Sequence, residues 1–184
     1  VIMEPIQGEG GVRCPDPEYV KAVRQLCNET DTLLIFDEVQ TGIGRTGKLF
    51  AHEHYGVEPD IMTLAKALAN GLPMGAMLAK DQIAQAFGPG AHASTFGGTP
   101  IVASAAREVF RIFDEENILD RCRETGAYFK QRLQWLKERH DSVVEVRGLG
   151  LLLGMELNME GAPIVNACRE KGLLVNCVQG NTLR

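Results

Sequence analysis

Four short apolar runs, VIME (1–4), LLIFD (33–37), DIMTLA (60–65) and GAMLA (75–79), mark the first half of the chain, with helical or loop patterns between them. Runs of this length bounded by turn residues read as buried strands. Strands alternating with helices imply an α/β layer structure built on a mainly parallel sheet. Such sheets collect ligands at the carboxyl ends of their strands. Two runs deliver a reactive side chain there: Asp37 closes LLIFD, and Lys66 follows DIMTLA directly.

The segments between the runs carry their own signals. Asp16 and Pro17 supply an N-cap and a first-turn proline, after which Tyr19, Val23, Leu26 and Cys27 recur at helical spacing. KLFAHEHYG reads as a short helix closed by Gly56. Pro100 opens a helix with Val102, Ala106, Val109 and Phe113 on one stripe. A longer helix is predicted over 118–140, with Phe129, Leu133 and Leu136 on its packing face. Beyond it, VVEVRGLGLLLGMEL predicts two strands around Gly148 and Gly150, followed by a helix near 162–171 and a strand at LLVNC. Residues 1–140 are therefore read as part of a large domain including a junction helix, and 141–184 as part of a small α+β C-terminal domain.

Composition narrows the function classes. A net charge of -5 argues against nucleic-acid or anionic-membrane partners, which call for a basic face. No apolar stretch reaches the roughly 18 residues of a membrane span. Five cysteines without a CxxC pair fit free thiols in a reducing cytoplasm, and disfavour both a disulfide framework and a zinc site. With no initiator methionine, and strand-like residues at both ends, the sequence reads as an internal piece of a longer chain.

Taken separately, Asp37 suits a turn cap and Lys66 a solvated surface amine. Taken together they suggest more. A carboxylate at the end of an apolar run needs a cationic partner, and the small residues Ala65, Ala67, Ala69 and Gly71 leave space for a ring beside Lys66. A pyridoxal-phosphate enzyme requires this combination: a lysine that holds the cofactor as a Schiff base and an acid that pairs with its pyridinium nitrogen. GIGRTG (42–47) matches the dinucleotide pattern GxGxxG, but DEVQT separates it from the strand, where the fingerprint belongs in the first turn. HASTFGGTP (92–100) places hydroxyls and glycines before a helix, which suits either a phosphate or a helix cap. His52 and His54 point to different faces of their helix and read as surface or half-buried residues, not as metal ligands.

These motifs occur in one order along nearly the whole chain: VIMEPIQGEGG, LLIFDEVQTGIGRTGKLFAHEHYGVEPDIMTLAKAL, GLPMGAML, HASTFGGTP, RGLGLLLGMEL and CREKGLLVNC with GNTLR. In that arrangement the sequence resembles the class III, ornithine-type aminotransferases of pyridoxal-phosphate fold type I. The resemblance implies that Lys66 is the Schiff-base lysine and that Asp37 binds the pyridine nitrogen. It also implies cofactor contacts from Glu38, Val39 and Gln40, with Val39 on the ring face and Gln40 near the ring hydroxyl. Thr95 would bind the cofactor phosphate of a neighbouring subunit and Ser94 would border its substrate, so a homodimer with shared sites is implied. Arg184 would clamp a substrate α-carboxylate, and Glu9 would pair with Arg184 when that carboxylate is absent. The implied reaction moves the terminal amine of N-acetylornithine to 2-oxoglutarate. Three other readings remain open: an ω-aminotransferase acting on succinylornithine, ornithine or 4-aminobutyrate or else an aminomutase, a nucleotide-dependent oxidoreductase using GIGRTG, and an inactive fragment. Many relatives carry Asn where this chain has Thr99. The family's N-terminal phosphate loop and ring-stacking aromatic have no counterpart in these residues.

Overall fold

Strands β1 (Ile2–Met3), β2 (Ile35–Asp37) and β3 (Ile61–Leu64) lie side by side and parallel in the computed structural model, which describes residues 1–184. Their register sets Ile2 beside Ile35, Phe36 beside Met62 and Asp37 beside Thr63. Strand β4 (Ala76–Ala79) closes this sheet antiparallel to β3, so three of the four strands share one direction.

Helix α1 (Pro17–Glu29) begins where the sequence indicates. Asp16 accepts a hydrogen bond from the Glu18 amide at 2.8 Å, and Pro17 has no N–H to leave unpaired. Its buried Val20 and Cys27 join Ile6, Val12, Leu34, Phe36 and Tyr55 in the main core. Burying an apolar side chain of this size stabilises the fold by about 1.5–3 kcal/mol. The charged side of the same layer is tied at Asp60. Its carboxylate accepts from the Leu34 amide (2.8 Å), Arg24 (2.7 Å) and Lys80 (3.2 Å), joining α1, the approach to β2 and the end of β4.

After the short helix α2 (Asp81–Ala84) come α3 (Pro100–Glu115) and α4 (Ile118–Lys137). The expected stripe of α3 packs inward: Val109 and Phe113 meet Ile43, Met62, Leu64 and Leu68. In α4 the buried positions are Cys122 and Gly126, with Leu133 packed below, whereas Phe129 is 48% exposed and does not belong to the packing face. Gly126 faces the turn at Gly150 so closely that an added Cβ would lie 2.3 Å from the Gly150 carbonyl oxygen, so the helix backbone itself packs on that turn.

The second sheet is antiparallel, in the order β5 (Val143–Leu149), β6 (Leu152–Leu157), β8 (Thr182–Leu183) and β7 (Cys177–Val178). Helix α5 (Ala162–Glu170) precedes β7. LLVNC does not form the whole predicted strand: Leu173 and Leu174 are 59% and 86% exposed, and pairing begins only at Asn176, which exchanges backbone hydrogen bonds with Arg184. The predicted helix in KLFAHEHYG is a single 3₁₀ turn, Ala51–His54, with Gly56 at positive φ. No helix is long and apolar enough to cross a membrane.

Candidate active site

Lys66 and Asp37 occupy neighbouring strand ends. Asp37 is the last residue of β2 and pairs in register with Thr63, three residues before Lys66. Lys66 follows β3 after one intervening residue and has φ of +49°, a left-handed conformation at a non-glycine residue. Backbone strain of this kind costs on the order of 1–3 kcal/mol and concentrates at functional sites. Asn70, with φ of +47°, ends the 3₁₀ turn Lys66–Ala69 in the same conformation, which asparagine tolerates better than most residues.

A cavity of about 590 Å³ opens over this turn. Val39, Gln40, Lys66 and Arg184 line it together with Arg45, Asn70 and Leu151. Lys66 is exposed within it. Asp37 is half-buried but does not line the cavity. One of its oxygens accepts from the Val39 amide at 2.9 Å and no cation of the chain pairs with it. A half-buried carboxylate without a cation, on the strand next to the one that leads into an unpaired amine on a constrained turn, is a donor set that a pyridine aldehyde could use.

Arg184 and Glu9 are paired as the family resemblance implies, although 175 positions separate them. Arg184 Nη2 lies 3.0 Å from Glu9 Oε1. Arg184 Nη1 also donates to Gln40 Oε1 at 2.8 Å, a contact the sequence does not announce. Gln40 is held there by Gly8, where an added Cβ would lie 2.6 Å from the Gln40 amide oxygen.

Other expected site residues fall elsewhere. Glu38 is 1% exposed and fully engaged, accepting from Thr41 Oγ1 (2.5 Å) and from the amides of Ala51 and His52 (both 2.9 Å). Strand alternation sends its side chain to the face opposite Asp37, so a cofactor contact from this carboxylate does not fit the geometry. Ser94 and Thr95 are exposed and absent from the Lys66 cavity; Ser94 lines a separate hollow of about 290 Å³ with Met74, Gly75 and His92. Thr99 N-caps α3 without a side-chain cap bond, its hydroxyl donating instead to the Phe96 carbonyl at 2.6 Å. In GIGRTG, Gly44 lies against Phe113 and Leu119, so the loop is a packing surface for α3 and α4 and not a phosphate cradle. His52 Nδ1 meets the Val57 carbonyl at 3.0 Å, and His54 Nε2 meets Thr46 Oγ1 at 3.1 Å. Burial holds the His54 imidazole below its ordinary range. Arg45, Asn70 and Leu151 escaped the sequence reading. Only Asn70 carries a local signal, an Asn-Gly pair at the end of a turn.

The family model for class-III aminotransferases matches residues 1–184, and the chain belongs to that family. It is 50% identical over its whole length to an acetylornithine aminotransferase of Methanocaldococcus jannaschii, and 52% identical to one of Methanosarcina mazei. It covers 46% of each of these relatives, so it spans under half their length. Among solved structures, the ornithine aminotransferase of Toxoplasma gondii superposes with a TM-score of 0.95 at 38% identity, over all of this chain and 45% of that one. The acetylornithine aminotransferase of Elizabethkingia anophelis gives 0.93 at 39%, over all of this chain and 49% of that one. The mixed α/β architecture with its mainly parallel sheet is thus that of aminotransferases.

Proposed function

We propose that this chain supplies the lysine-bearing face of a pyridoxal-phosphate-dependent ω-aminotransferase, which moves the terminal amine of N-acetylornithine to 2-oxoglutarate and yields the semialdehyde and glutamate. The observation that carries the reading is one cavity holding Lys66, Gln40 and Arg184, with Glu9 closed on Arg184. When bound, the cofactor supplies an electron sink that makes the carbon bearing the substrate amine acidic.

The residues of the chain do the rest. Lys66 Nζ holds the cofactor between turnovers and, once displaced, takes the proton from the carbon bearing the amine. Asp37 would hold the proton on the ring nitrogen, and Val39 would pack against the ring. With Arg184 closed on Glu9, the site admits a substrate that has no carboxylate near the reacting amine. With the pair open, the planar guanidinium grips the α-carboxylate of glutamate through two parallel hydrogen bonds. Thr95 and Ser94, outside this cavity, are assigned to the site of a second subunit, which makes the working unit a homodimer in the cytoplasm. We assign 1–140 to the large domain and 141–184 to the small one.

The test uses the full-length protein that contains this chain. Lys66→Ala is expected to remove the visible absorbance of bound pyridoxal phosphate after gel filtration and to abolish turnover. A variant that keeps both refutes the reading. Donor assays with N-acetylornithine, ornithine and 4-aminobutyrate then rank the substrates, and a preference for ornithine would overturn the acetylated assignment alone.

A further inference from the structure

Arg147 lies in the middle of β5 with its side chain only 9% exposed, outside the Lys66 cavity. Its guanidinium reaches two remote segments at once. Nε and Nη2 both donate to the Gly11 carbonyl, at 2.9 and 2.6 Å, and Nη2 also lies 3.5 Å from Thr182 Oγ1. Nη1 is held in place by Glu145 (2.7 Å) and Glu156 (2.5 Å), and Arg13 closes on Glu156 at 3.0 Å. Gly11 follows Glu9 by two residues, and Thr182 precedes Arg184 by two. One buried planar cation therefore binds both the loop that carries Glu9 and the strand that carries Arg184. Only one other side chain ties the two segments directly away from the ion pair: Gln179 Nε2 donates to the Glu9 carbonyl at 2.8 Å.

We propose that Arg147 is a positioning residue for the Arg184–Glu9 pair, setting the separation of the two gate side chains and hence the discrimination between the amine donor and glutamate. The inference rests on the functional reading above. The bidentate bond to Gly11 needs a fork of two N–H groups on one carbonyl, a geometry that guanidinium has and ammonium lacks. A lysine at this position keeps the charge near Glu145 and Glu156 but releases the loop. Glu9 then loses its fixed place opposite Arg184, and the closed arrangement that admits the ω-amine donor becomes less populated.

The experiment is a double-mutant cycle on the full-length holoenzyme: wild type, Arg147→Lys, Glu9→Ala and the double variant, each with kcat and KM for the N-acetylornithine and glutamate half-reactions. Arg147→Lys is expected to raise KM for N-acetylornithine about tenfold, as loss of a charge-assisted hydrogen bond does, with KM for glutamate changed less than about twofold and kcat retained. In the Glu9→Ala background the same substitution should leave the ratio of the two kcat/KM values unmoved. Equal shifts in both backgrounds, or a fall in Tm with the wild-type ratio intact, would show Arg147 to be scaffold only and overturn the inference. If Arg147→Lys yields no folded holoenzyme, Thr182→Val takes its place in the cycle under the same criteria. Absence of ω-amine turnover in the wild type would defeat the functional reading itself, a result separable from additivity in the cycle.

Discussion

Gly8→Ala tests the contact between Gln40 and Arg184 without substituting either residue. The new Cβ would lie 2.6 Å from Gln40 Oε1 and 2.8 Å from its Cδ, where ordinary contact begins at 3.4 Å. The amide must retreat by about 0.8 Å, and it sits at the flexible end of its side chain, so the displacement itself costs little. The consequence falls on Arg184. Its bond to Gln40 stretches from 2.8 Å to roughly 3.6 Å, beyond hydrogen-bonding range. A hydrogen bond to a charged group contributes about 1.5–3 kcal/mol. The Arg184 side chain is 20% exposed, so water replaces part of that bond and the lower figure applies. About 1.5 kcal/mol is close to tenfold in an equilibrium constant. Arg184, left on Glu9 alone, swings out more readily. The kcat/KM ratio of the glutamate to the N-acetylornithine half-reaction should therefore rise about tenfold in the full-length enzyme, with cofactor absorbance unchanged. Equal losses in both half-reactions, or a ratio within twofold of wild type, would refute the reasoning.

Two predictions concern stability. Asp60→Asn leaves Arg24 and Lys80 without their counter-charge, and breaking a buried pair in this way costs about 3–5 kcal/mol. Lys80 is partly solvated and asparagine can still accept from Leu34, so about 3 kcal/mol is expected, seen as a Tm lower by roughly 6–12 °C at pH 7. Burial alone would push the Asp60 carboxyl up, but the Leu34 amide, Arg24 and Lys80 outweigh it and hold the carboxyl below the usual carboxylate range. The wild-type advantage is therefore complete above the unfolded aspartate pKa of about 3.9 and is lost as pH falls through the lower folded value. Melting curves in which the gap between the two proteins does not narrow in acid would contradict this. Gly126→Ala drives a methyl group into the Gly150 carbonyl and should cost about 1–3 kcal/mol in denaturant unfolding; a neutral result would mean that α4 can rotate freely.

Much of the fold was legible because its signals are local. Asp16–Pro17 announces the start of α1, and LLIFD announces β2 with an acid at its end. The site was legible in part. Lys66 and Asp37 were singled out by the apolar runs that precede them, while Arg184 and Glu9 needed the family resemblance, since nothing local links residues at opposite ends of the chain. Glu38 was expected at the cofactor, whereas its carboxylate is buried on Thr41 and the amides of Ala51 and His52; two adjacent acids at a strand end face opposite ways. Phe129 was assigned inward from hydrophobic periodicity, yet it is 48% exposed although it shares a helix face with Gly126 and Leu133. The exposure of Lys66 and the role of Gln40 as an acceptor depend on which walls surround the cavity, which no pattern along the chain encodes.

The meeting of Gly126 with Gly150 has one more consequence. An added Cβ at Gly150 would in turn lie 2.4 Å from the Thr46 carbonyl carbon, and Leu151 donates from its backbone to the Arg45 carbonyl at 3.0 Å. Three backbones are stacked there with no side chain between them to change rotamer and absorb a slide. A slide of the antiparallel sheet past the parallel one would meet backbone at this point, so relative motion here would have to be a pivot about this bare fulcrum. Since Arg184 follows β8 in one sheet and Lys66 follows β3 in the other, a few degrees of such rotation would open or narrow the cleft between them while the fulcrum stays still.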